Sequence, residues 1–232
     1  MAIPTLPYAF KNEKLLAEAL THPSLIPLKK NPLFHYERLE FLGDAVLNTC
    51  LSHELFKLFP EAPEGTLAKA KNALAKGDLL AAIAKKLSLD EYIQLSPGEK
   101  KQNTHQKFSV LASVWEAIIA VAFLENGLEG AQKLILLGYQ QIHPQGLARE
   151  WIEALILNEN PKGHLQEYLQ NKYPNAQILY EVLSITGPDH AKQYEISVKS
   201  SAKPDILGIG RGPSKKTAEE NAAQQALTAF KK

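Results

Sequence analysis

Apolar residues recur every three or four positions along the first two thirds of the chain, which is the spacing of helices that bury one face. No alternating strand pattern occurs before residue 158. We therefore predict an all-α first domain over residues 1–157. Its main helices are predicted at about residues 36–59, 66–76, 78–87, 109–125, 128–137 and 149–157.

The periodicity changes after a short polar stretch at residues 158–161, which we interpret as a linker. A short helix is followed by Tyr194, Ile196 and Val198, which alternate with polar residues as in a half-buried strand. A turn at 187–190 separates two predicted strands, three spaced glycines mark a third, and an alanine-rich amphipathic helix closes the chain. The order α-β-β-β-α predicts a small α+β domain over residues 162–232.

Charge and composition restrict the class of protein only loosely. The chain has 232 residues, of which 45% are hydrophobic and 22% charged, as in an ordinary globular protein with room for two modest cores. Its net charge is +1, and division after residue 158 gives −1 and +2. Any binding of nucleic acid must therefore depend on local placement of charge.

Several classes of protein are disfavoured. The longest apolar run, residues 117–124, is far shorter than the roughly 20 residues of a membrane span. The N-terminal residues lack the pattern of a secretory signal. Cys50 is the only cysteine, so no intrachain disulfide can form, and with His53 it supplies too few ligands for zinc. We expect a cytoplasmic protein without a membrane partner or a small-molecule cofactor.

Glu37, Glu40 and Asp44 stand at positions i, i+3 and i+7, and therefore share one face of the first long helix. The neighbouring residues are mostly apolar, so we expect much of this helix to be buried. Stacked carboxylates on a buried helix repel one another and lose hydration, at a cost that needs compensation. A positive charge should therefore lie close to this face.

The segment 110–124 is apolar except for one ionisable residue, Glu116. A lone carboxylate in such a helix is paired with a cation, neutral, or bound to a metal. If Glu116 lies beside Glu40 and Asp44, the three would provide hard oxygen ligands suited to Mg²⁺.

Ion pairing is the alternative explanation for the same acids. Arg38 is close in sequence, and Lys69 or Lys71 could reach in from another helix. Glu37 alone is better explained by the helix dipole, which favours an acid in the first turn. For the other three acids, the residues alone leave a metal site and single cationic partners equally open.

Residues 37–47, Glu-Arg-Leu-Glu-Phe-Leu-Gly-Asp-Ala-Val-Leu, resemble the signature of the ribonuclease III family almost residue for residue. Leu-Thr-His-Pro-Ser at 20–24 and Glu-Gly-Thr-Leu at 64–67 resemble flanking family motifs, in the same order. Val-Leu-Ala-Ser-Val-Trp-Glu-Ala at 110–117 resembles the second acidic motif. The resemblance covers essentially the whole chain.

This resemblance implies that Glu40 and Glu116 ligate Mg²⁺, with Mn²⁺ as a possible substitute, and that Asp44 is a catalytic carboxylate near the metal. Glu37 would have a lesser role on the same acidic face. The implied protein is a homodimer that cuts double-stranded RNA, such as ribosomal RNA precursors, and leaves 5′-phosphate and 3′-hydroxyl ends. Phe41 is equally well explained as an interface residue and as a core residue.

Ser113 is the main departure, because the family has Asp three residues before the second-motif Glu. Ser113 faces the same way as Glu116 by helical spacing and is a weak, neutral metal ligand. We expect weakened or metal-shifted catalysis. A duplex-RNA-binding protein with impaired cleavage, or a structural ribosome-associated relative, stays an alternative, although the retained acids favour a nuclease.

Three segments of the second domain, 161–170, 187–190 and 212–219, resemble a double-stranded-RNA-binding domain. Exposed amides on its first helix suit the 2′-hydroxyls of a shallow minor groove. Lysines at the start of its last helix are unfavourable to the helix dipole, so contact with phosphate explains their position better than helix stability does. The RNA-binding residues that we expect are Gln166, Glu167, Gln170, His190, Ser214, Lys215 and Lys216.

Overall fold

The computed structural model describes residues 8–28, 33–188 and 191–230, and at positions 203 and 204 only the backbone. The chain forms two compact units, residues 1–152 and 153–232. The first has an all-α architecture, as predicted, and in its described part the only β pairing is one bridge between Thr21 and Gln94. Its helices are α1 (Glu13–Ala19), α2 (Glu37–Leu58), α3 (Glu64–Leu74), α4 (Gly77–Lys86), α5 (Pro97–Lys101) and α6 (Phe108–Ile142), with short 3₁₀ turns at Pro23–Leu28, Leu89–Glu91 and Thr104–Gln106.

Helix α6 is the centre of this unit and packs against α2 and α4. The sequence pattern predicted two helices here, at about 109–125 and 128–137, and the backbone of α6 is indeed non-helical between them, at Asn126 and Gly127. Gly127 adopts φ 65°, a left-handed conformation that glycine reaches without strain. Trp115 and Tyr139 are fully buried along α6, and the Tyr139 hydroxyl donates to the Leu74 carbonyl at 2.9 Å.

By length and composition α6 could also cross a membrane, and within the described ranges it is the only helix with that property. In the structure, 61% of its most apolar window is buried by the protein itself. A helix that is apolar on nearly all sides is expected at the centre of a folded domain, where neighbouring helices cover it. Core packing therefore accounts for the apolar character of α6.

Helices α2 and α6 approach each other closely at Gly43. A Cβ atom at that position would lie 1.8 Å from the backbone carbonyl oxygen of Glu116. Leu39, Val46 and Leu47 are buried on either side of this crossing. The contact therefore requires glycine, and it places the acidic face of α2 beside the acid of α6.

The second unit has the predicted α-β-β-β-α order. Its elements are α8 (Pro161–Lys172), β1 (Ile178–Thr186), β2 (Gln193–Ser200), β3 (Lys203–Gly212) and α9 (Lys215–Phe230), and they follow α7 (Arg149–Glu159) along the chain. The sheet is antiparallel with strand order β1-β2-β3, and α9 packs mainly on β3. Gly210 lies beneath α9, and a Cβ there would lie 2.1 Å from the Ala218 carbonyl, which explains a glycine-marked strand under an alanine-rich helix.

The predicted linker at 158–161 is almost entirely helical. One residue, Asn160, separates the end of α7 from the start of α8. The boundary between the two compact units lies within α7. Asn160 caps α8 by accepting a hydrogen bond from the Gly163 N–H at 3.0 Å. A Cβ on Gly163 would lie 2.4 Å from the Asn160 side chain, so this glycine leaves room for the cap.

We predict that Gly43→Ala lowers the free energy of unfolding by about 1–3 kcal/mol, because the added methyl group pushes α2 away from α6. Chemical denaturation followed by circular dichroism measures the change. Gly65→Ala in the exposed first turn of α3 is the control: no atom lies within 4 Å of its Cβ, and we expect no loss. If Gly43→Ala and Gly65→Ala had the same free energy of unfolding, the close contact of α2 with α6 at Gly43 would be contradicted.

Candidate active site and RNA-binding face

Two helices bring the predicted acidic residues together. Helix α2 carries Glu37, Glu40 and Asp44, and α6 carries Ser113 and Glu116. The Ser113 hydroxyl lies 2.8 Å from Glu40 Oε1 and donates a hydrogen bond to it across the two helices. The same hydroxyl lies 2.9 Å from the carbonyl of Ser109, one turn earlier in α6. Ser113 therefore contacts the acidic face directly.

The acids differ in exposure, and here one expectation was wrong. Glu37 and Asp44 are exposed, while Glu40 and Glu116 are partly buried. Phe41 is 82% exposed, which excludes the core alternative and leaves the interface alternative, and this side of α2 is more open to solvent than expected. Desolvation therefore falls mainly on Glu116.

Burial, and then the negative charges of Asp44 and Glu40, raise the pKa of Glu116 from 4.5 to about 7. The three carboxylates are thus close enough to repel one another. Within the described ranges, no lysine, arginine or histidine forms an ion pair with any of the three. The ion-pair alternative left open by the sequence therefore has no support in the structure.

The types of the acidic residues suit a metal ion better than their present geometry does. Three carboxylates without a cationic partner are the hard oxygen ligands that Mg²⁺ prefers. In the part of the chain that the structure describes, however, no three His, Cys, Asp or Glu side chains form a ready metal-binding group. The residue types fit a divalent cation, and the side chains would have to converge further to hold one.

Two neighbours of the acids were missed by the sequence analysis. The Asn48 side chain donates to Asp44 Oδ1 at 2.8 Å, one helical turn later on the same face. The i, i+4 spacing of an acid and an amide on α2 was an available signal. His35 is buried beside the start of α2, with Nδ1 3.6 Å from Glu37 Oε2, and periodicity gave no indication of this contact.

The predicted RNA-binding residues of α8 lie on its exposed side. Leu165 and Leu169 are buried in the core of the second unit, whereas Gln166, Glu167 and Gln170 are exposed. Glu167 lies 3.6 Å from His164 Nδ1. Gln166 and Gln170, one helical turn apart, therefore form an amide-bearing stripe that faces solvent.

The start of α9 shows a second role for one predicted residue. Ser214 accepts a hydrogen bond from the Thr217 N–H at 3.1 Å, and so caps the helix. Lys215 and Lys216 are exposed and form no ion pair with any described residue. His190 lies outside the described residues and stays a prediction from the sequence.

Comparison with known proteins decides the family. Residues 12–141 match the family model described as Ribonuclease-III-like, and residues 161–229 match the double-stranded RNA binding motif. Ribonuclease 3 of Sulfurovum sp. is 39% identical over 98% of this chain and 96% of the relative. The chain belongs to the ribonuclease III family. As a ribonuclease III, it is an endoribonuclease.

Other relatives agree with this assignment. Ribonuclease 3 of Nitratiruptor sp. is 37% identical over 97% of this ribonuclease III and 94% of the relative. Two solved structures of the nuclease domain of ribonuclease III from Campylobacter jejuni match with a TM-score of 0.55. One of them is 39% identical and covers 59% of this chain and 92% of its own, and it is described as flexible in a region involved in dimer formation.

We predict that Glu116→Gln stabilises the metal-free protein at pH 8 by about 1–3 kcal/mol and has little effect at pH 4.5. Since the folded pKa is raised to about 7 from 4.5, the folded state holds a proton that the unfolded state lacks between these values. The free energy of unfolding therefore falls as pH rises through this window, and the neutral amide of the variant avoids the loss.

Denaturant titration in EDTA at both pH values measures this effect. Glu129→Gln, an exposed acid on the same helix, is the control and should give the same difference from wild type at both pH values. A Glu116→Gln effect that does not depend on pH would show that Glu116 is not desolvated.

Proposed function

We propose that this ribonuclease III cuts double-stranded RNA in a divalent-metal-dependent reaction in which Glu40, Asp44 and Glu116 hold Mg²⁺, or Mn²⁺ in its place. The observation that carries the proposal is the group of three mutually repelling carboxylates with no cationic partner among the described residues. Such a group is stabilised by a divalent cation and is costly without one.

The chain's own residues have distinct tasks in this reaction. A bound cation would activate water and stabilise charge on the scissile phosphate. Glu116 must release its proton before it can act as a ligand, and its pKa of about 7 makes that release possible near neutral pH. Asn48 holds Asp44 Oδ1, which leaves Oδ2 for the water or the cation. Glu37 lies on the exposed rim of the same face.

The products in this proposal are 5′-phosphate and 3′-hydroxyl ends, because a water molecule attacks phosphorus and the 3′ oxygen leaves. No nucleophilic side chain is required. The substrates are structured RNAs such as ribosomal RNA precursors, and the reaction takes place in the cytoplasm, in keeping with a chain that has one buried cysteine.

Ser113 gives this site one negative charge fewer than the family pattern, which has Asp at this position. Its hydroxyl donates to Glu40 Oε1 at 2.8 Å, so Ser113 orients a carboxylate and adds no charge. A weak direct metal ligand, as expected from the sequence, is therefore a secondary role. The contact favours an active enzyme with lower metal affinity over a protein that binds RNA without cutting it.

The second domain would hold the duplex. The exposed amides of Gln166 and Gln170 suit a minor groove, and the uncompensated Lys215 and Lys216 at the start of α9 suit the phosphate backbone. Glu167, His190 and Ser214 complete the proposed RNA-binding set. The family match to a double-stranded RNA binding motif supports this role.

A homodimer is the proposed assembly. Phe41 is 82% exposed and Phe108 is 65% exposed, which is unusual for aromatic residues that have no partner. Both lie on the helices that carry the acids. The nuclease domain from Campylobacter jejuni is described as having a region involved in dimer formation, which supports a homodimer. We place Phe41 in the interface because of its exposure.

Cleavage of a plain RNA duplex tests the function directly. We predict metal-dependent cutting by the wild-type protein and a loss of about a hundredfold or more in Glu116→Gln, since an acid that holds the cation is removed. A gel with end-labelled duplex, with and without EDTA, measures it. Binding of duplex without cutting would indicate an RNA-binding protein, and co-sedimentation with ribosomes alone would indicate a structural relative.

Ser113→Asp restores a fourth negative charge, and we expect it to lower the Mg²⁺ concentration that gives half-maximal cleavage by roughly tenfold. Ser113→Ala, which removes the hydrogen bond to Glu40 at equal charge, should not lower it. Cleavage rates across Mg²⁺ and Mn²⁺ concentrations give the comparison. Full wild-type activity at low Mg²⁺, with no gain from Asp, would exclude the proposed role of Ser113.

Phe41→Asp should convert the dimer to a monomer, because a charge replaces an apolar side chain at the proposed interface. Sedimentation velocity at micromolar concentration reports the change. Leu179→Asp, at a residue of β1 in the second domain that is 50% exposed, is the control and should stay dimeric. If Phe41→Asp also stays dimeric, the interface lies elsewhere.

A further inference from the structure

The second domain contains a pocket of about 390 Å³ between the exposed side of α8 and the start of β1. Lys162, Gln166 and Gln170 line one wall, and stand four residues apart along α8. Ile178 and Tyr180 line the opposite side from alternate positions of β1. The pocket thus borders the amide stripe to which duplex binding is assigned, and it extends away from that stripe toward the sheet.

The pocket carries almost no net charge. Lys162 is the one charged residue of its lining, and its Nζ lies 2.5 Å from Glu219 Oε2. The same ammonium group lies 4.7 Å from the centre of the Tyr180 ring. Because this cation is already compensated, the pocket offers little to a phosphate group and is better suited to a neutral ligand.

The pocket is rich in hydrogen-bonding groups that lack protein partners. The side-chain amides of Gln166, Gln170 and Gln177 form no hydrogen bond with described residues, and each offers donors and an acceptor. The Tyr180 hydroxyl is buried and likewise has no partner in the described part of the chain. Burial and Glu219 raise the pKa of Tyr180 to about 12, so this hydroxyl remains a donor at neutral pH.

An apolar floor with several neutral donors and acceptors suits the edge of a nucleobase. The volume lies at the lower end of the range of small-ligand pockets, roughly 300–1,000 Å³, which favours a single base over a larger group. Bases inside a duplex are stacked and paired and cannot enter. Unpaired bases in bulges and loops can be turned outward and read along their edges.

We propose that this pocket binds one unpaired nucleobase next to the duplex held by α8, so that the second domain distinguishes bulged or looped RNA from a perfect duplex. The inference rests on the proposed binding of double-stranded RNA and adds a recognition site to it. Because the pocket lies beside Gln166 and Gln170, one RNA could occupy the duplex-binding stripe and the pocket together.

The test compares two kinds of RNA, a perfect duplex and a bulged duplex, by fluorescence anisotropy with the whole chain in EDTA. Both contain a duplex longer than the roughly 16 base pairs that such a domain spans, and one carries a single unpaired nucleotide at its centre, tested as A, G, C and U. We expect at least one bulged RNA to bind about tenfold more tightly than the perfect duplex, the value of one or two net hydrogen bonds.

Three variants make the test specific. Ala176→Leu fills the pocket and should remove the preference while leaving affinity for the perfect duplex unchanged. Asn171→Leu adds the same side chain at an exposed position of α8 outside the pocket and should keep the preference. Tyr180→Phe removes only the unpartnered hydroxyl and should reduce the preference in part without loss of thermal stability.

Equal affinity of the wild-type protein for the perfect duplex and for all four bulged RNAs would overturn the inference alone, as would a full preference in a folded Ala176→Leu variant. Failure to bind either kind of RNA would overturn the proposed duplex binding as well. The two failures are therefore distinguishable.

Discussion

Gly43 has no side chain, and the carbonyl oxygen of Glu116 occupies the space that a side chain would need. This contact sets the distance between α2 and α6, and with it the distance between the acids on the two helices. A larger residue would separate Glu40 from Ser113, and it would reduce the burial and the repulsion that together raise the pKa of Glu116. The chemistry of the site thus depends on a backbone contact in which no acidic side chain takes part.

The crossing brings the acidic side chains of Glu40, Asp44 and Glu116 together, and no cationic side chain among the described residues forms an ion pair with them to offset their repulsion. Glu116 carries most of the desolvation because α6 is the core helix, while Asp44 and Glu37 stay in contact with water. A fully buried set of acids would be too costly to keep ionised, and a fully exposed set would bind a cation weakly. The intermediate burial leaves Glu116 close to its titration point at neutral pH, so a divalent ion bound there, as proposed, would favour its ionised form.

Periodicity predicted most of the architecture because most helices of the first domain bury one face, and because Tyr194, Ile196 and Val198 alternate with polar residues along β2. It also found Glu40, Asp44 and Glu116 through their apolar surroundings. It could not show that Phe41 faces solvent, since an apolar residue on a helix reveals a face but not what covers that face. The hydrogen bonds of Asn48 and Ser214 are local in sequence and could have been predicted from their spacing, but hydrophobic periodicity does not report on polar contacts.

Helix α7 contributes to both domains, and this affects how they can be separated. Trp151 stacks on His143 in the first domain, whereas Leu157 packs against the core of the second and the Ile156 carbonyl lies 3.2 Å from His164 Nε2. A fragment that starts at the RNA-binding motif match, residue 161, would lose Leu157 and the Ile156 contact. The boundary of the sequence motif is therefore not the boundary of a self-sufficient folding unit, and an isolated RNA-binding fragment needs the second half of α7 to retain its full set of packing partners.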